Sequence, residues 1–223
     1  VRPVFNLLIF IYNFLPKPDL GVAVIILVIL VRLVLWPIFT KGVKSQLMFS
    51  KLQPEVERIQ KKYKDDRAVQ TQELLKLYKE HKFNPFSSLL LLFVQIPILI
   101  ALYQVFLQGV KGADFSLLYP WVSNPGSLNP HFLGLVDLTV STPVLVILAG
   151  IAQFFQSKML MPKSAPKNPG SFQTMFSRQM MWLGPFITVA VLWGLPSVIA
   201  VFWLLTTVIS IGQQYWIEKK IKI

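Results

Sequence analysis

Long apolar runs alternate with short polar stretches along the whole chain. A bilayer core of ~30 Å needs ~20 helical residues. Five stretches are candidates to cross it: Leu20–Ile38, Pro85–Leu107, Pro143–Met161, Met180–Trp193 and Ser197–Trp216. Asn84 is a good N-cap for the second, and Pro85 suits a first helical position, where its missing N–H costs nothing. The last two are split by Gly194-Leu195-Pro196, a turn signal. Met180–Trp193 covers only ~21 Å as a helix, so it is expected to sit in a locally thinned bilayer. Every span should be helical, because an open sheet edge in lipid leaves its backbone unsatisfied.

The intervening segments differ in kind. Residues 1–16 contain the apolar run Phe5–Leu15, ~16 Å as a helix and too short to cross. Arg2, Asn6 and Asn13 fall on one stripe, which predicts an amphipathic helix lying on the outer surface rather than the remnant of a cut span. In residues 41–84, Met48, Leu52, Val56, Ile59 and Tyr63 recur at helical spacing, and Val69, Leu74, Leu77 and Tyr78 give a second, weaker face. With the polar turn Lys64-Asp65-Asp66-Arg67 between them, this predicts a helical hairpin, with Pro54 near the start of its first helix. Residues 108–142, 162–179 and 217–223 read as an extracytoplasmic loop, a cytoplasmic loop and a cytoplasmic tail.

Charge sets the orientation. Lys and Arg total 22 against 10 Asp and Glu, for a net charge of +12, while charged residues make up only 14% of the chain and hydrophobic residues 54%. That excludes a disordered chain and an ordinary water-soluble enzyme. The hairpin segment holds eleven cations, and alternate sides of the five spans carry eighteen and three, with Arg32 inside the first span. The positive-inside rule then puts the N-terminus outside and the C-terminus in the cytoplasm. The chain contains no cysteine and only two well-separated histidines, so no metal cluster, thiol chemistry or cofactor is expected. It begins at Val1, which suggests a trimmed leading segment.

Arg32 is the most informative residue. An arginine at this depth costs at least ~2.5–3.5 kcal/mol and normally faces water or a partner. No Asp or Glu lies in any of the five spans, so the choice is between snorkelling to the cytoplasmic head groups and facing a hydrated cavity. Gln95, Gln104, Gln153, Gln156 and Ser157 are polar groups on the middle spans. Trp203, Thr206, Ser210 and Gln213 share a face of the last one. Such residues serve equally as helix–helix glue; with Arg32, a shared polar groove is the better account, and Trp203 could stack on the guanidinium. In the hairpin, Lys51, Arg58, Lys61, Lys62, Arg67 and Lys76 are either a solvated basic face or a docking surface for anionic lipid or an acidic or RNA-containing partner.

The pattern resembles the YidC/Oxa1/Alb3 family of membrane protein insertases. The residues that carry the resemblance are Val31-Arg32-Leu33 with Trp36-Pro37, Leu52-Gln53-Pro54, Leu77-Tyr78-Lys79 with Asn84-Pro85, and Gln95-Ile96-Pro97-Ile98 with Ala101-Leu102-Tyr103. Phe154-Phe155, Lys158-Met159, Leu195-Pro196-Ser197 and Gln213-Gln214 follow in order. The resemblance implies an all-α integral membrane protein of the bacterial cell membrane. Five transmembrane helices would enclose a hydrophilic groove open to the cytoplasm and to lipid, with an outer interfacial helix and a cytoplasmic hairpin. It implies an insertase and chaperone rather than a bond-making enzyme, acting on nascent or small membrane proteins in the bilayer. Arg32, Gln95, Gln153, Trp203, Thr206, Ser210 and Gln213 would line the groove and the hairpin would recruit, with the Sec translocon and the signal-recognition-particle pathway as implied partners. Only Glu218–Ile223 follows the last span, which argues against tail-mediated ribosome contact. The alternative is a solute or ion transporter using Arg32. Against it, the two halves of the chain show no inverted repeat. A membrane-embedded hydrolase would need a nucleophile and base or metal ligands at membrane depth, and the spans carry none.

Overall fold

The computed structural model describes residues 2–84, 86–105, 115–160 and 172–221. Among them the chain is mostly helical: α1 (Arg2–Phe14), α2 (Leu20–Val34), α3 (Trp36–Lys62), α4 (Arg67–Glu80), α5 (Phe86–Val105), α6 (Pro143–Met159), α7 (Phe172–Trp193) and α8 (Ser197–Ile221). The loop before α6 adds what the sequence reading lacked, a two-residue antiparallel pair, β1 (His131–Phe132) with β2 (Val136–Asp137).

The first predicted span is divided. α2 stops at Val34, and α3 leaves it at 76°. Pro37 is the reason: it has no N–H to continue the α2 ladder, and its ring fits only the first turn of a new helix. The hairpin therefore begins at Trp36 rather than at residue 41. Pro54 lies inside a 27-residue helix, about five turns from its start, and not near its beginning. Asp66 caps α4 by accepting from the amides of Ala68 and Val69 at 3.1 and 3.0 Å. The hairpin tip has its own small core, Leu52, Val56, Leu77 and Phe83, flanked by Met48, Ile59, Leu74 and Tyr78. The base of α3 belongs to the bundle instead, with Val43 and Leu47 packed on Ile217 of α8.

Residues 1–16 are also reassigned in part. α1 buries Phe5, Leu8, Ile9, Ile11 and Tyr12 in the main core, beside α2 and α5. Of its polar stripe, Asn6 is buried against protein, while Arg2 and Asn13 stay exposed and bond to the loop before α6. Asn6 is 1% exposed; its Nδ2 donates to Leu117 O at 2.9 Å and its Oδ1 accepts from Tyr119 N. Arg2 Nε donates to Leu117 O at 3.1 Å and Asn13 Nδ2 to Ser123 O. These side chains satisfy amides and carbonyls of residues 117–123, a stretch of the loop outside its β1–β2 pair. The loop in turn inserts Phe115, Val122, Leu128 and Leu138 into the core, closing the end of the bundle opposite the hairpin. Asp19 joins the two parts: Oδ1 caps α2 at Val22 N, and Oδ2 accepts from Leu133 N. Gly21 lies against the Phe132 ring, where a Cβ would collide.

The remaining boundaries move outward. α7 begins at Phe172, so the short span read as 180–193 is the second half of a 22-residue helix. α8 continues through the predicted tail to Ile221. Pro85, residues 106–114, residues 161–171 and residues 222–223, on which several predicted bounds and loops fall, lie outside the described residues. By length and apolar character together, α8 qualifies as a membrane span among the described residues, and α2 with α3 qualifies as a bent pair.

Candidate functional site

The bend at Leu35 builds the site. It folds the first turn of α3 back beneath the last turn of α2, so that the guanidinium carbon of Arg32 sits 4.0 Å from the centre of the Phe39 ring. Arg32 is 6% exposed and Phe39 3%. On the other side stands α8. Arg32 Nη2 donates to Thr206 O at 2.9 Å and to Ser210 Oγ at 3.0 Å. The Ser210 hydroxyl donates in turn to the same carbonyl, at 2.8 Å. Helical spacing accounts for this pairing, because residues four apart lie one above the other on a helix face.

The cation is thus held by neutral oxygens and an aromatic face. Nη1 is buried and has no hydrogen-bond partner. The space beside Arg32 is a cavity of about 10 Å³, lined by Leu27, Val28, Val31, Phe39, Gln95, Ile98, Phe202 and Thr206. That is room for one water at most. The ring that meets the guanidinium is Phe39 rather than Trp203.

The other predicted site residues divide into three places. Gln95, half-buried on α5, lines the Arg32 cavity. Trp203 and Gln153 form a pair of their own, with the indole Nε1 donating to Gln153 Oε1 at 3.4 Å. Gln213 reaches toward the hairpin base, its Nε2 donating to Thr40 Oγ1 at 2.9 Å while its Oε1 is left without a partner. Gln214 is 0% exposed, and neither of its amide atoms is bonded. Orphaned polar atoms of this kind are rare in buried positions, and here they cluster on the half of α8 that begins at Ser210. The six hairpin cations, Lys51, Arg58, Lys61, Lys62, Arg67 and Lys76, are all exposed.

Phe39 and Thr40 are residues that the sequence reading missed. Part of the signal was present: Trp36-Pro37 follows Arg32 at one turn, and a bend forced there brings the first turn of the next helix, which carries Phe39 and Thr40, back under the arginine. No group of acidic, histidine or cysteine side chains suited to a metal occurs among the described residues.

Comparison with known proteins places the chain. Residues 10–223 match the family described as 60Kd inner membrane protein. The chain is 32% identical over 211 residues to the membrane protein insertase YidC of Syntrophus aciditrophicus, covering 95% of this chain and 35% of that protein. It is 33% identical over 223 residues to the protein of the same name from Nitratidesulfovibrio vulgaris strain DP4, covering 98% and 38%. With the namesake from Fusobacterium nucleatum the identity is 32% over 202 residues, covering 91% and 87%. The chain thus spans little more than a third of the first two relatives and most of the third. By the match over nearly its whole length, the chain belongs to the 60Kd inner membrane protein family, the YidC/Oxa1 group of membrane protein insertases.

Proposed function

We propose that this chain is the working core of a membrane protein insertase in a bacterial inner membrane. In this reading α2, α5, α6, α7 and α8 are five spans, the N-terminus is outside and the C-terminus is in the cytoplasm. The observation that carries the proposal is the state of Arg32: a buried guanidinium with an unpaired Nη1 and only neutral acceptors on Nη2. Such a cation is incomplete without an anion. A carboxylate on a passing polypeptide makes a shorter, stronger hydrogen bond than a carbonyl or hydroxyl does, and the low dielectric strengthens the attraction.

Arg32 then acts by holding the acidic outer segment of a short membrane protein part-way across, while the apolar segment leaves sideways into lipid. Gln95, Gln153, Trp203, Thr206, Ser210 and Gln213 line the route once α2 and α8 separate. The exposed cations of the hairpin recruit substrate or the targeting machinery, including the signal-recognition-particle pathway and the Sec translocon. Helix lengths support a thinned path, since α2 and α6, at 15 and 17 residues, cover ~22 and ~25 Å against a ~30 Å core. The work is binding and release, with no bond made or broken. No observation favours the transporter.

The test is a proteoliposome insertion assay read by protease protection. Arg32→Ala is expected to lower insertion of substrates with acidic translocated segments at least tenfold, and to leave neutral ones within about twofold. Arg32→Lys should retain much of the activity. Equal loss for acidic and neutral substrates, or none for either, removes Arg32 from this role.

A further inference from the structure

Four buried side-chain polar atoms have no hydrogen-bond partner among the described residues: Arg32 Nη1, Gln213 Oε1 and both amide atoms of Gln214. The first serves the charge-holding role proposed above. The other three lie together on α8, one turn beyond Ser210 on the same face. Gln213 is 2% exposed and Gln214 0%, so neither reaches bulk water. Gln213 is fixed by one bond, from Nε2 to Thr40 Oγ1 at 2.9 Å, which leaves its carbonyl oxygen unused. Ile217, the next turn on, packs with Val43 and Leu47. Along α8 the two amides therefore stand between the Arg32 contact and an apolar seam.

A buried donor or acceptor without a partner costs more than an apolar group of the same shape in its place. A methionine would fill the length of Gln214 at no such cost. Two adjacent glutamines thus break a packing rule with no return inside the closed bundle, and such local violations belong to functional sites. What is unspent defines the ligand. The Gln214 amide offers N–H donors and a carbonyl acceptor and carries no charge. An extended polypeptide presents the complement, since the N–H and C=O of one residue point to the same side and a neighbouring strand bonds to both. A primary carboxamide does the same with Nε2 and Oε1. The spacing agrees as well. Gln214 is four residues from Ser210, ~6 Å along α8, and alternate residues of an extended chain are ~6.6 Å apart. A segment whose carboxylate is on Arg32 brings the backbone two residues further along to Gln214.

We infer that Gln214, with the carbonyl of Gln213 beside it, binds the main chain of a substrate's polar segment. Nε2 of Gln214 donates to a backbone C=O, and its Oε1 accepts from a backbone N–H. The inference rests on the insertase reading and extends it. Arg32 favours acidic segments, whereas the glutamines act on any sequence, because every residue except proline carries both backbone groups.

The test compares Gln214→Met with wild type in proteoliposomes. The substrate is a synthetic single-span peptide with an acidic or a neutral translocated segment, made with ordinary amides or with N-methylated amides at alternate residues. Gln214→Met should lower insertion of both ordinary peptides at least fivefold, whereas Arg32→Ala acts on the acidic one. N-methylation removes backbone donors and keeps the side chains. It should lower insertion by wild type at least threefold and lower that by Gln214→Met no further. The thermal midpoint of Gln214→Met in detergent should equal or exceed that of wild type. A lower midpoint would mean that the amide is satisfied inside the fold, by bound water or by protein, and overturns the inference. So does full insertion by Gln214→Met, a loss confined to the acidic peptide, or an equal effect of N-methylation on the two proteins. If wild type inserts neither ordinary peptide, the insertase reading fails and takes the inference with it. If wild type and Gln214→Met both insert them, only the role of the glutamines is lost.

Discussion

Arg32 Nη2 and Ser210 Oγ are 3.0 Å apart, and both donate to the carbonyl of Thr206. One backbone oxygen therefore anchors the charged end of α2 and the hydroxyl of α8 together. The arrangement ties the two helices across the bundle with groups that are all neutral except the guanidinium.

Replacing Ser210 with an acid is expected to occupy the site from within. Ser210→Asp puts a carboxylate where the hydroxyl now meets Arg32, so insertion of acidic substrates should fall to the level of Arg32→Ala while the fold becomes no less stable. Ser210→Ala should keep insertion and lose about 1–2 kcal/mol of stability, because it removes one acceptor from a buried donor. Both variants are read by protease protection and by the apparent thermal midpoint in detergent. If Ser210→Asp inserts acidic substrates at the wild-type rate, Ser210 does not share a site with them.

Phe39 should matter more for stability than its place in the chain suggests. Phe39→Leu keeps an apolar side chain but removes the ring face from Arg32, a loss of ~0.5–2 kcal/mol. A midpoint lowered by several degrees is the expected result. Combining it with Arg32→Ala tests the coupling, because the ring contact is already gone in that background and Phe39→Leu should cost less there. Additive losses would mean that the stacking contributes nothing.

The hairpin tip should be removable. Leu52, Val56, Leu77 and Phe83 form a core separate from the bundle, whereas Val43 and Leu47 are packed on Ile217. Replacing residues 52–77 with a Gly/Ser linker should leave a folded core in detergent and reduce insertion in cells. A change of Val43 to Asp should instead destabilise the bundle, since it buries an unpaired charge. Circular dichroism and size exclusion distinguish the two results. An unfolded tip deletion with a folded Val43→Asp variant would reverse the assignment.

The loop before α6 should loosen in acid. Asp137 accepts from Thr139 N at 2.8 Å and from Thr139 Oγ1 at 2.7 Å, and these bonds hold its carboxyl below the usual value. A lowered folded value means that the contribution is complete above ~pH 4, the ordinary range for Asp, and is lost as pH falls through the lowered value. Hydrogen exchange at residues 136–139 should rise below ~pH 4 in wild type, while Asp137→Asn should show no such rise. The carboxyl is only partly buried, so the effect is local.

How much of this was legible in the sequence differs from feature to feature. The hairpin stripe Met48, Leu52, Val56, Ile59 was, because a helix packing on one partner writes its periodicity directly into the chain. Arg32 and the α8 face were too, since polar residues at membrane depth stand out. Asn6 was misread for the same reason. A polar residue on an apolar helix means water or protein equally well, and only the loop at residues 117–119 decides for protein at Asn6. Phe39 was hidden because its role depends on the angle made at Leu35 rather than on its own neighbourhood. The true start of α7 was obscured by polar residues such as Gln173, Ser177 and Arg178, which suit a loop or the exposed end of a helix equally.

The bend at Leu35 also has a mechanical side. α3 is pivoted at one end, with Phe39 about 6 Å and Lys62 about 40 Å from the pivot along the axis. Swung as a rigid lever through 5°, it would carry the hairpin tip by about 3.5 Å and Phe39 by about 0.5 Å, a gearing of about sevenfold. The gearing works in both directions. A coarse tug on the tip becomes a fine adjustment under the guanidinium, and a half-ångström parting at Arg32 becomes a displacement of several ångströms at the hairpin tip. Pro54, which breaks the hydrogen-bond ladder part-way along α3, sets how much of that travel leaks away before it arrives.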